Sequence, residues 1–556
     1  MIRYKSNWLQ LLLLTTLLSM GCTKLKENEN NKLVIGAGGA ASAGSQLIAA
    51  YNDLNTVMHG QDEIFSLQEN TTDECLVPTR AGDWDDNGVW RVLHAHAWDA
   101  THGQVQQVFS NLGILESDAT TTLALNPNPE QAAEATFLRS LAQYYFVNLY
   151  GQVPYRTIPN YNTINASPIM TPAEVIDTLI TNLTGIISVL SSTNPNYTAN
   201  PNAARFLLMK VLLNKQAFLN PITPAAQVAA DMQQVHDLGI AIENSGQSIN
   251  GSSIALTPYY FDNFGPNNGG FGADSTGGIS TENIFVYGNN GKATNPNGTS
   301  NGAIDDRWMM ALHYNSWDQN NNYGSAGWNG FSTIADVYTA FDPTDTRKGN
   351  VPYPAALVNS HGVSPVSGLR VGLDSGAQLN ENGVQEMDRR GNKLSFQGPV
   401  ANTETDLATL EGAGIRGIKY YPDYANYQSH ASNQLAIFRY ADVLLMIAEA
   451  DLSGASGGSA EALSIVNSLH TARGASPIAS ISLVNTGNLY DPTTILEERQ
   501  KELWWESWRR EDMIRLGVFL TAWDLKPADV GTTYILFPIP VAQLVANPNL
   551  KQNKGY

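Results

Sequence analysis

The sequence is short of cysteine, of charge and of long apolar runs, and each shortage removes a class of protein. Cysteine occurs twice, at Cys22 and Cys75. With Cys22 assigned to the role described below, one thiol is left and no internal disulfide can form. An oxidising compartment permits disulfides without requiring them, and a chain of 556 residues buries enough apolar surface to fold without covalent staples. Cys75 therefore reads as a small buried hydrophobe rather than a nucleophile. Charged residues make up only 15% of the chain, with 32 Lys and Arg against 51 Asp and Glu, a formal charge of −19. So acidic a chain excludes nucleic acid as a partner, because phosphate neutralisation needs clustered Lys and Arg. No stretch reaches the roughly 20 consecutive apolar residues of a membrane-spanning helix.

At the N-terminus, Arg3 and Lys5 precede an apolar run from Trp8 to Met20, followed at once by Gly21 and Cys22. The run is about 13 residues, the length of a secretory leader and too short to span a bilayer. A small residue followed by cysteine is also the bacterial lipobox, although Ser19 stands where Leu is usual. On this reading residues 1–21 are a signal peptide and Cys22 becomes the acylated first residue of the mature chain. Acyl chains of the palmitate kind, at about 0.8 kcal/mol per buried methylene, would hold the protein on a membrane. Loss of Arg3 and Lys5 with the leader takes the formal charge to −21. Residues 22–32 form a polar tether, and 33–556 are expected to fold as one domain.

Helix signals recur through that domain. Asn128, Pro129 and Gln131 predict a helix start, and Phe137, Leu141, Tyr144, Tyr145 and Asn148 then follow the i, i+4, i+7, i+8, i+11 spacing of one face until Gly151 and Pro154 end it. Thr171, Pro172 and Glu174 predict a capping box. A helix from about Ala203 to Asn220 carries only a thin polar stripe of Arg205, Lys210, Asn214 and Lys215, so it should be deeply buried. A further helix is expected from about Ile437 to Leu452, with Arg439, Asp442 and Glu449 on one face. Another is expected from Asp491 to about Leu516, with Glu506–Arg510 and Glu511–Arg515 as i,i+4 pairs. The fold class is mostly α, a scaffold of helical hairpins akin to tetratricopeptide repeats, without a clean period of about 34 residues.

Between about 251 and 432 the texture changes to Gly and Asn punctuation with scattered aromatics, as in "FDNFGPNNGGFGADSTGG" and "HYNSWDQNNNYGSAGWNGF". Such a stretch predicts loops and short strands carried on the helical frame, where binding residues concentrate. Sugar rings present flat C–H faces edged by hydroxyls, so their sites combine aromatic platforms with Asp, Asn, Arg or Gln. Two segments have this make-up. The first, Asp73 to Trp98, offers Asp73, Arg80, Asp83, Trp84, Asn87 and Trp90; the second, Trp308 to Phe331, offers His313, Tyr314, Asn315, Trp317, Tyr323, Trp328 and Asn329. Asp73, Arg80, Trp84, Asn87, Trp317, Tyr323 and Trp328 are the candidate glycan contacts.

No cofactor or metal motif is complete. Asp83, Asp85, Asn87 and Gly88 open like a calcium loop, but His94 stands where a bidentate Glu is required. His94, His96 and His102 are not spaced to meet on one helical face. Gly454, Ser456 and Gly458 match G-x-S-x-G, yet a nucleophile elbow needs a preceding strand, and here a helix comes first. Asp85, Asp86, Asp305 and Asp306 could supply a carboxylate pair for glycoside hydrolysis, but sequence adjacency says nothing of the separation required. The residues specify no catalytic set, so the expectation is a binding protein and not an enzyme.

Four segments carry a resemblance. "ATFLRSLAQYYFVNLYGQVPY" (Ala135 to Tyr155), "RYADVLLMIAEA" (Arg439 to Ala450), "ILEERQKELWWESWRREDMIRLG" (Ile495 to Gly517) and "LFPIPVAQLVANPNLKQNKGY" (Leu536 to Tyr556) resemble, in the same order, segments of the SusD/RagB lipoproteins. The resemblance implies tetratricopeptide-like helix pairs with irregular excursions. It also implies capture of oligosaccharide, or in some members peptide, at the cell surface. The implied partner is a SusC-like TonB-dependent barrel in the outer membrane, on which the lipoprotein sits as a lid.

Overall fold

Side chains at helix starts decide where the frame begins. Ser42 accepts from the Ser45 N–H at 3.1 Å and opens α1 (Ala43–His59). Two short helices follow, α2 (Ile64–Glu69) and α3 (Val89–His94), and then α4 (Gly103–Ala124). Asn128 and Gln131 form a reciprocal cap for α5 (Pro129–Tyr150), which ends on Gly151 in the left-handed conformation. Thr171 and Glu174 do the same for α6 (Pro172–Ile186). Asn200 caps α7 (Pro201–Leu219), and α8 (Ala229–Glu243) completes the N-terminal series. After an excursion whose helices are short, at Asp306–Met309 and Ala335–Ala340, the frame resumes in α9 (Tyr440–Leu452), α10 (Gly458–Arg473), α11 (Ile495–Leu503) and α12 (Arg509–Arg515).

This computed structural model describes residues 42–80, 86–270, 279–302, 304–314, 327–352, 370–379, 384–401, 403–407, 409–420, 422–423 and 430–556. Cys22, the leader and the tether lie outside them. No described helix is long and apolar enough to cross a membrane.

Successive helices pack on one another, α4 on α5, α5 on α6, α6 on α7, α7 on α8 and α9 on α10, while α8 also packs on α9 and joins the two series. The fold is mostly α, as the periodicity predicts. α5 is buried almost all round from Ala133 onward, including Ser140, Gln143 and Asn148, so its apolar face is broader than the expected stripe. In α7 the polar stripe points inward: the Lys210 ammonium lies 2.9 Å from Asp442, 3.2 Å from Glu511 and 3.7 Å from the centroid of the Trp508 ring.

Two expected helices are corrected. The one placed at Ile437 begins only at Tyr440, because Leu435–Arg439 is a strand paired antiparallel with Asn283–Tyr287. The one placed from Asp491 to Leu516 is two helices, interrupted where Trp505 and Ser507 take positive φ of 58° and 70°. The break is held from far away in sequence, since the Trp505 N–H donates to Glu74 at 3.1 Å and the Ser507 N–H donates to Glu69. The expected i,i+4 pairs therefore give way to other buried contacts, most of them long-range. Glu506 binds Arg439 and Lys419, Arg515 binds Glu449 and Asp512, and Arg510 donates to the carbonyls of Asn148 and Ile535.

The excursion between α8 and α9 holds short elements. A three-stranded antiparallel sheet runs Arg416–Ile418, Arg370–Asp374, Gly349–Pro352, and Thr79–Arg80 pairs in parallel with Thr403–Glu404. A stretch from the N-terminal part of the chain is thereby built into the excursion.

Candidate functional site

The two aromatic segments singled out in the sequence spring from one corner of the structure. Leu76 and Ser332 exchange backbone hydrogen bonds at 2.8 Å in both directions. Four residues on, Arg80 extends its guanidinium along the second segment. It donates to the carbonyls of Asn329 at 2.6 Å and Gly330 at 3.1 Å, to Ser332 Oγ at 3.2 Å, and across to the Ala413 carbonyl at 2.8 Å. A second guanidinium completes the stem: Arg416 donates to Ser332 Oγ at 2.7 Å, Asn329 Oδ1 at 2.7 Å and the Glu411 carbonyl at 2.9 Å. Gly414 has φ +92°, and a Cβ there would stand 2.3 Å from Ser332 Oγ, so only glycine lets this turn approach. Residues on either side of 315–326 are joined as well, since the Asn329 N–H donates to the Leu312 carbonyl and the Trp328 N–H to the Met309 carbonyl, both at 2.8 Å.

Charge at the stem is concentrated on one buried carboxylate. Glu411 accepts from His313 Nε2 at 3.0 Å, from Arg389 Nε at 2.7 Å and from the Arg389 N–H at 3.1 Å. Burial alone would raise its pKa, but these donors outweigh burial and hold it at about 2. Burial also depresses His313, which therefore stays a neutral donor to Glu411. The half-exposed Arg389 guanidinium lies 3.8 Å from the centroid of the Tyr314 ring, giving a cation and an aromatic face at the edge of the stem.

The candidate residues fall into three groups. Asp73 is wholly buried, and its carboxylate is clamped by Arg509 at 2.7 and 2.8 Å, which ties α2's neighbourhood to α12. Arg80 is also fully buried and acts on backbone carbonyls, which corrects its reading as a ligand contact. Trp90 is core, 1% exposed, packed 5.3 Å from Phe331 with its Nε1–H on Asp86 at 2.9 Å. Asn87 is exposed in a left-handed turn with φ 58°, and Trp328 is half-buried against the core. Trp84, Trp317 and Tyr323 lie outside the described residues. Arg389, Glu411 and Arg416 are additions the sequence did not suggest, because they join the stem from about 60 to 90 positions downstream.

The weaker motifs are taken up locally. His94 lies between the Cys75 and Asp524 carbonyls, His96 between Asp529 and the Thr71 carbonyl, and His102 on the Val89 carbonyl, so the three histidines do not converge. Ser456 sits in the turn between α9 and α10, where its N–H donates to Gln233 at 2.9 Å. Asp306 stands 3.9 Å from His59, and burial with the neighbouring charges of Asp305 and Asp62 pushes it up to about 7. Asp85 lies outside the described residues. A separate cleft of about 700 Å³ is lined by Asn194, Asn196, Tyr197, Gln247 and Asn250. Its amides are largely engaged with backbone: Asn196 donates to Asn283, Asn250 to Ser280 and Asn194 to Ala199.

Comparison with known proteins agrees with this architecture. Residues 281–530, which include the second half of the stem and α9 to α12, match the model of the SusD family. SusD-like protein P2 of Formosa agariphila is 27% identical over 491 residues, covering 85% of this chain and 82% of that protein. Starch-binding protein SusD of Bacteroides thetaiotaomicron is 24% identical over 536 residues, covering 90% and 88%. Among solved structures, surface glycan-binding protein A from Bacteroides thetaiotaomicron in complex with laminarihexaose shares the fold, with a TM-score of 0.60 at 17% identity over 92% of this chain and 98% of that one.

Proposed function

We propose, on the premise that the chain belongs to the SusD family, that it captures oligosaccharide at the bacterial cell surface and delivers it to a SusC-like TonB-dependent transporter. The observation that carries this reading is the shared stem. Arg80 and Arg416 hold the Arg80 and Asn329 ends of two segments rich in Trp, Tyr, Asn and Gly within hydrogen-bond reach of each other. The flat side of a sugar ring requires aromatic faces, which Trp84, Trp317 and Tyr323 of the two segments would supply in this reading, and Asn87 and Arg389 offer polar groups for its hydroxyls. Relatives named for starch binding and for a laminarihexaose complex support a neutral glycan ligand. Peptide is the alternative ligand for the same role.

Cys22 is the lipid-bearing residue in this reading, and the acylated chain sits on the outer membrane as a lid over the barrel. Turnover is no part of this reading, in which the stem holds a binding surface. Titration calorimetry of the purified full-length protein in detergent against laminari-oligosaccharides, malto-oligosaccharides and a mixed peptide library tests ligand class. Saturable binding of an oligosaccharide that is recovered at unchanged length supports capture. Binding of peptides alone moves the protein to the alternative, and release of shorter sugars returns it to the hydrolases. Separately, Cys22→Ala should move the protein from the outer-membrane fraction to the periplasm.

A further inference from the structure

Away from the stem, three helices of the frame bring together a ligand set for a metal ion. His236 on α8, Asp451 near the end of α9 and Glu461 in the first turn of α10 place one donor atom each within 4.8 Å of one another. His236 Nε2 lies 3.9 Å from Asp451 Oδ1 and 3.7 Å from Glu461 Oε1. Those separations are too long for hydrogen bonds. Two of the three separations are thus close to the spacing of about 3.3–3.5 Å between ligands that each stand about 2.0–2.2 Å from a tetrahedral ion, and the side chains would draw together from within 4.8 Å to close the set.

Two independent features point into this space. Asp451 is only 3% exposed; its Oδ1 accepts from the Gly457 N–H at 3.1 Å, while its Oδ2 and His236 Nε2 are buried without a hydrogen-bond partner. Several other buried carboxylates of the frame are met by guanidinium groups, as Glu449 is by Arg515, Asp442 by Arg499 and Glu498 by Arg347. Among the described residues Asp451 and Glu461 have only His236 as an ion-pair partner. A buried carboxylate oxygen and a ring nitrogen left unmatched destabilise the fold, and a cation between them would satisfy both. The backbone also makes room: a Cβ at Gly457 would stand 2.3 Å from Glu461 Oε2 and 2.5 Å from Asp451 Oδ2, so the turn between α9 and α10 lets both carboxylates crowd one point only because residue 457 is glycine.

We propose that His236, Asp451 and Glu461 bind a first-row divalent cation of the Zn²⁺ type, which clamps α8, α9 and α10 together. One imidazole and two carboxylates form an N,O,O set. The imidazole disfavours Ca²⁺ and Mg²⁺, which take oxygen ligands. Glu461 is 42% exposed at its side chain, so water reaches the fourth position. Asp237 Oδ1 stands 3.4 Å from His236 Nδ1, on the side where a second carboxylate would orient the ring. The three side chains come from three helices and are tied across the 453–457 turn.

The test uses the full-length, tag-free protein, stripped with chelator and titrated with Zn²⁺ and, separately, Ca²⁺. The expected result is one Zn²⁺ per chain by calorimetry and elemental analysis, with a melting point raised by roughly 2–5 °C at saturating metal, and no such rise with Ca²⁺. His236→Ala and Glu461→Gln should each lose more than the roughly 100-fold that second-shell changes cost. Glu461 is partly exposed, so its variant should fold even where Asp451→Asn does not. Zn²⁺ binding absent from the wild type, or unchanged in both variants, overturns the proposal.

Discussion

The frame and the stem both depend on buried arginine, and they use it differently. In the frame, guanidinium groups meet carboxylates from distant helices: Arg515 meets Glu449 at 2.6 Å and Arg439 meets Glu282, Glu502 and Glu506 at 2.6–3.0 Å. In the stem, Arg80 and Arg416 meet mainly backbone carbonyls, a serine hydroxyl and an amide oxygen. A charge pair specifies which two side chains must come together, and so it fixes how helices dock. An arginine on carbonyls specifies only the path of the backbone. The stem can therefore hold segments of any side-chain content, which suits a surface that must differ from ligand to ligand.

The largest effect should come from cutting the first kind of contact. Arg515→Ala leaves Glu449 buried without its cation and Asp512 with Arg499 alone, and breaking such a pair typically costs about 3–5 kcal/mol. Urea unfolding should show that loss, and a variant within about 1 kcal/mol of wild type would remove the contrast between the regions. Arg80→Ala strips donors from three carbonyls and should cost less, about 1–3 kcal/mol. It should also weaken glycan capture, because both segments lose their common anchor. Loss of stability equal to that of Arg515→Ala, with capture intact, would make Arg80 part of the frame.

A smaller effect should appear with pH. Glu411 is held at about 2 against an ordinary 4.5. Its folded value is depressed, so its contribution is full above 4.5 and is lost as pH falls from 4.5 toward 2. Melting curves across that window should fall less steeply for Glu411→Gln than for wild type. Parallel curves would show that His313 and Arg389 do not lean on its charge.

Local chemistry was readable where partners are close in sequence. Asn128 with Gln131 and Thr171 with Glu174 cap helices as their spacing predicts, because each pair lies within one turn. The break at Trp505 was not readable: "WWESW" sits in a helix-favouring context, and its positive φ angles are held by Glu74 and Glu69, more than 400 residues earlier. Arg80 stands among Asp and Trp and so reads as a ligand contact, yet its partners are carbonyls about 250 residues away, which no periodicity reveals. Asp73 misleads for the same reason, its partner being Arg509. Composition did mark both arms of the stem, because Gly, Asn and aromatics together are unusual for a core.

The account stands or falls on whether the two segments form one binding surface. Trp84→Ala, Trp317→Ala and the double variant should be titrated with the best-binding oligosaccharide and melted in parallel. An aromatic contact contributes on the order of 0.5–1.5 kcal/mol beyond burial, and about 1.4 kcal/mol is tenfold in affinity, so each single change should weaken capture about 3- to 30-fold. The double change should abolish binding while the melting point stays at that of wild type. Affinity unchanged in the double variant, or melting points depressed as a core tryptophan would depress them by about 3–5 kcal/mol of stability, would contradict a shared glycan platform above the stem.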